Sequence, residues 1–152
     1  MKKYVLSLLL VFVYFTQYAQ TTNPKYDAEL ATTLQADDYG MKTYIFVMLK
    51  TGKNESTNKT LKDSCFAGHM KNIQRLVNEK IMIVAGPMFK NDKSYRGIFI
   101  LDVPTLEEAS QLMLTDPTIK EGFLEPELYQ WYGSAALPTY LDTSDKIWKI
   151  GF

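Results

Sequence analysis

The chain has one histidine, one cysteine and no excess of either charge, with 17 Lys and Arg against 17 Asp and Glu in 152 residues. The lone cysteine, Cys65, excludes an internal disulfide, so an oxidising compartment would add no staple, and it reads as a small buried hydrophobe. One His and one Cys do not furnish a zinc site unless carboxylates are drawn from afar, so no metal is expected. No glycine-rich phosphate loop follows any strand, and no cofactor is expected either. The charge balance removes the electrostatic funnel that nucleic-acid binders use and the attraction that holds basic proteins on anionic membranes. No apolar run reaches the ~20 residues of a comfortable membrane span.

What is present begins with a positive pair, Lys2 and Lys3, followed by an apolar stretch from Tyr4 to Phe15 broken only by Ser7. Ala19 and then the polar Gln20, Thr21, Thr22 and Asn23 complete the pattern of a secretory signal. Gln17 stands where a small residue is preferred for cleavage after Ala19; an uncleaved anchor or a buried helix is the competing reading. The expectation is a signal peptide over 1–19, export to the periplasm or beyond, and no membrane attachment after cleavage. What remains is of single-domain length and buries a core without metal or disulfide support. It divides into a lead-in segment 20–41, a folded domain 42–133 and a C-terminal extension 134–152.

The lead-in is polar, with at most a short helix around Ala28 to Leu34. Tyr44 to Leu49 is a continuous β-prone run, as an interior strand buried on both faces would be. After a solvated loop, Thr60 with Asp63 offers a capping box, and Phe66, Met70, Ile73, Leu76 and Val77 recur at helical spacing, predicting a helix from Leu61 to Glu79. Ile81 to Ala85 is a second strand that Gly86-Pro87 ends, and Tyr95 to Val103 a third, joined to it through Asn91 to Ser94 as a hairpin. Thr105 and Glu108 cap a second helix that stops before Asp116-Pro117. Leu128 to Tyr132 is the last strand. The apolar residues after Ser134 suit a docked tail better than a disordered one. The order β-α-β-β-α-β predicts an α+β, ferredoxin-like fold with both helices on one face of an antiparallel sheet. The other face is left for a second copy, making a homodimer, or for the tail to cover.

His69 lies four positions from both Cys65 and Ile73, on or near the apolar side of the first long helix, where a titratable ring is costly unless partnered. Asp116 follows the second helix, and both helices share a face of the sheet, so the two side chains are within plausible reach. A carboxylate beside an imidazole fixes its tautomer and makes a general acid or base that works near neutral pH. A hydrogen-bonded structural histidine and a turn-forming Asp-Pro are the plainer readings of the same residues. Ser64 and Cys65 adjoin His69 without a third group to make a triad. Tyr129, Trp131 and Tyr132 resemble a base-stacking platform, but with a neutral charge balance they suit a strand core or dimer interface better.

The run from His69-Met70-Lys71-Asn72-Ile73 to Val84-Ala85-Gly86-Pro87, then Leu106-Glu107-Glu108-Ala109 and Asp116-Pro117, resembles the YCII-related family over most of Met41 to Tyr132. The resemblance implies a dimeric α+β barrel, with the family's proposed active-site histidine on His69 and its aspartate on Asp116. An arginine that often precedes the family's histidine has no counterpart at Phe66, Ala67 or Gly68. Members with known chemistry include a dehydrochlorinase acting on a chlorinated aromatic. The function expected is an exported small-molecule enzyme using a His69-Asp116 acid/base pair. The alternative is a non-catalytic dimeric module that binds an unidentified small molecule or is structural.

Overall fold

The computed structural model describes residues 23–150, and the expected signal over 1–19 lies outside them. A short helix α1 (Ala28–Thr33) precedes strand β1 (Met41–Thr51), helix α2 (Lys59–Asn78), strands β2 (Met82–Pro87) and β3 (Tyr95–Leu101), helix α3 (Leu106–Met113), a one-turn helix α4 (Pro117–Lys120) and strand β4 (Leu124–Ser134). A 3₁₀ turn over Leu137–Tyr140 and a short α5 (Leu141–Ser144) follow. The strands form one antiparallel sheet in the order β2-β3-β1-β4, which is the ferredoxin-like α+β arrangement that the alternating elements predict. Among the described residues no helix is long and apolar enough to cross a membrane.

β1 sits in the interior of the sheet, and its residues alternate between two environments. Ile45, Val47 and Leu49 face α2 and α3 and pack with Leu76, Phe99, Leu101, Ala109 and Met113 in the main core. Tyr44 and Phe46 face the other way, and so does the pair Ile83 and Val84, because a bulge between Met82 and Val84 turns both toward that side.

Several boundaries differ from the sequence-based expectation. α2 starts at Lys59 under an Asn58 cap, whose side chain accepts from the Leu61 amide, rather than under Thr60. Its buried stripe is Cys65, His69, Asn72 and Leu76, displaced from the purely apolar positions, and Met70 points outward at 42% exposure. Two polar residues enter that stripe because both find partners. Asn72 accepts hydrogen bonds from Arg75 and from the Thr115 hydroxyl, and the partners of His69 belong to the site described below. β2 continues through Gly86-Pro87, and β4 begins at Leu124 and includes Pro126. Both are edge strands, where a missing amide costs no interior ladder bond. Asp116-Pro117 ends one helix and also begins another.

The tail docks on the face opposite the helices. Leu137 and Leu141 pack on Tyr44, Ile83 and Ile100, the Tyr140 hydroxyl donates to the carbonyl of the bulged Ile83, and Tyr44 donates to Ser134 at 2.9 Å. It covers one end of this face. Toward β4 the face stays open, with Tyr129 53% and Trp131 38% exposed.

Candidate active site

α4 exists because Asp116-Pro117-Thr118 is a helix start: the carboxylate caps the Thr118 amide, and Pro117 occupies the first turn, where its missing amide is an orphan in any helix. This one-turn helix lies against α2, and Gly68 is what lets it. A Cβ at Gly68 would sit 2.7 Å from the Pro117 ring, so any side chain there would push α4 away from the helix that carries His69.

The close approach brings His69 Nδ1 to 2.5 Å from Asp116 Oδ2. The other carboxylate oxygen accepts from the Thr118 hydroxyl at 2.7 Å and the Thr118 amide at 2.9 Å. Asp116 and Thr118 are sealed, at 1% and 0% exposure, while the His69 side chain keeps 11%. Burial alone would raise the Asp116 carboxyl, but hydrogen bonds from His69 and Thr118, with the imidazole charge, outweigh it and hold the group below its ordinary value. The carboxylate is therefore ionised and accepts, so Nδ1 carries the proton of the shared bond. Nε2 is left as the nitrogen open to a further partner, and among the described residues it has no hydrogen-bond partner.

The imidazole is walled by aromatic rings. Phe66 meets it edge-on at 6.2 Å between centroids, Phe99 lies at 6.0 Å, and Phe123 packs on Phe66 at 6.4 Å. Chemically, this is an oriented base in an apolar surround, which can remove a proton from a small molecule and return it.

His69 and Asp116, the two residues singled out from sequence, are thus brought together. Cys65 is buried in the same stripe, and Gly86-Pro87 lies in the edge strand β2. Sequence alone does not single out Thr118 or Gly68. The signal for Thr118 was the Asp-Pro-Thr helix start itself, whereas nothing local to Gly68 marks its contact with Pro117.

A family model, the YCII-related domain, matches residues 44–131. The chain is 26% identical over 91 residues to the uncharacterized protein YjpA of Bacillus subtilis (strain 168), an alignment covering 60% of this chain and 95% of that protein. Among solved structures it is similar to 5-chloro-2-hydroxyhydroquinone dehydrochlorinase (TftG) from Burkholderia phenoliruptrix AC1100, in complex with 2,5-dihydroxybenzoquinone. The TM-score is 0.40 at 19% identity, covering 57% of this chain and 92% of that one.

Proposed function

The chain belongs to the YCII-related domain family, and from that premise we propose that it is an exported small-molecule enzyme in which His69 acts as general acid and base, oriented by Asp116. The observation that carries this is the sealed 2.5 Å contact between Nδ1 and a doubly anchored carboxylate, which leaves Nε2 as the working nitrogen. Rings of phenylalanine around the imidazole favour a flat or apolar substrate over a highly charged one. The open end of the second sheet face, with Phe46, Tyr129 and Trp131, supports a homodimer that covers it. The Lys2-Lys3 pair and the apolar stretch behind it support export.

One observation favours a structural module instead: Asp116 also caps α4, so its carboxylate has a folding role in any case. Proton exchange separates the two readings. Mature protein is incubated in D₂O with a panel of benzenediols and 1,3-diketones, and deuterium incorporation at carbon is followed by NMR. On the enzymatic reading His69→Ala abolishes catalysed exchange, and Asp116→Asn slows it by roughly 10²-fold or more while the protein stays folded. Exchange or binding that His69→Ala leaves unchanged would refute the assignment.

A further inference from the structure

A cleft of about 530 Å³, lined by neither His69 nor its partners, lies between α1, the turn after α2 and the C-terminal extension. Its size is that of small-molecule pockets in general. Much of its wall, Thr33 to Gln35 together with residues of the C-terminal extension such as Pro138, Leu141 and Asp142, falls outside the family match over 44–131. Its inner wall is a closed ion pair: Lys42 Nζ lies 2.8 Å from the Asp102 carboxylate and also donates to Gln35 Oε1 at 3.2 Å. That pair is self-neutralised. Two further charges reach the cleft, Lys80 from the turn after α2 and Asp142 from α5, and among the described residues neither takes part in an ion pair or a side-chain hydrogen bond. The lining also includes apolar residues, with Leu141 and Pro138 half-buried and Ile83 buried.

The backbone adds an independent observation. Only Gln35, Lys80 and Ser94 among the described non-glycine residues have positive φ, and the first two, both at +58°, line this cleft. Each occupies the left-handed position after a helix C-cap, where glycine is the unstrained choice: the Ala36 amide reaches back to Ala31 O, and the Ile81 amide to Leu76 O. At both places a long polar side chain stands where the backbone prefers none. Gln35 uses its side-chain carbonyl oxygen to hold Lys42, and Lys80 lines the cleft without an ion-pair partner among the described residues.

We infer that this cleft binds a small zwitterion with an apolar body, such as an aliphatic amino acid or a short peptide. Its carboxylate would meet Lys80, its ammonium Asp142, and its side chain the surface of Leu141 and Pro138. The site does not depend on the chemistry of His69. The test is a ¹⁵N-HSQC titration of the mature protein with L-leucine and with L-alanyl-L-leucine. Saturable shifts are expected at Lys80, Ile83, Leu141 and Asp142, and leucinamide or 4-methylpentanoate, each lacking one charge, should bind about tenfold more weakly. Lys80→Gly relieves the left-handed strain, so the variant should keep or raise its Tm while losing about tenfold in affinity, and Asp142→Asn should lose a similar factor. Absence of shifts at these residues with both probes, or unchanged affinity in Lys80→Gly and Asp142→Asn, would overturn the proposal.

Discussion

The two faces of the sheet are built from the same strand yet end in different states. On the helix side Ile45, Val47 and Leu49 are at most 2% exposed under α2 and α3. On the other side Tyr44 is fully buried where the tail lands on it, whereas Tyr129 and Trp131, on the neighbouring strand β4, remain open. The difference shows that dryness comes from what covers a strand more than from the strand's own residues. It also locates the proposed chemistry: the only buried histidine–carboxylate pair among the described residues sits on the closed side, where a hydrogen bond is not diluted by water.

That contrast breaks most readily at its extremes. Leu76→Ala removes a fully buried side chain from the helix face and is expected to cost about 2–5 kcal/mol in urea unfolding of dilute protein. Tyr129→Ala, on the open face, should change monomer stability by no more than about 0.5 kcal/mol while weakening self-association in sedimentation experiments. Equal costs for the two would mean that both faces are already closed within one chain. Leu141→Ala, where the tail covers the second face, should fall between them at roughly 1–2 kcal/mol, since it is only half-buried.

The smallest effect is a slope. Because the folded Asp116 carboxyl titrates below its unfolded value, its contribution to stability is complete above the ordinary carboxylate range and is lost as the pH falls through the folded value. The wild type should therefore lose stability in acid more steeply than Asp116→Asn, as read from urea midpoints on either side of that range. Parallel curves would show that the carboxylate gains nothing from its partners on folding.

What the sequence revealed of this architecture was the part written in local periodicity. β1, α2, α3 and the β2-β3 hairpin follow from apolar spacing, Thr105 and the Asn91 turn. The start of β4 did not, because Glu125, Pro126 and Glu127 imitate a loop, and only the position of β4 at the sheet edge makes them acceptable. α4 was hidden by the double role of Asp116-Pro117. His69 stands out as the one histidine, Asp116 by following the second helix on the same face of the sheet, and both by a family resemblance. Gly68 and Thr118, which hold the pair in place, could not be recognised without the packing of α4 against α2, since one matters by lacking a Cβ and the other by a bond two residues away.

The most direct test of the central claim is the tautomer of His69, read from a long-range ¹H-¹⁵N correlation spectrum, unambiguous because the chain has one histidine. At a pH where the ring is neutral, the account predicts a proton fixed on Nδ1 and an unprotonated Nε2, with that preference lost or weakened in Asp116→Asn. A proton on Nε2, or a spectrum that Asp116→Asn leaves unchanged, would contradict an Asp116-oriented base and leave the pair as packing alone.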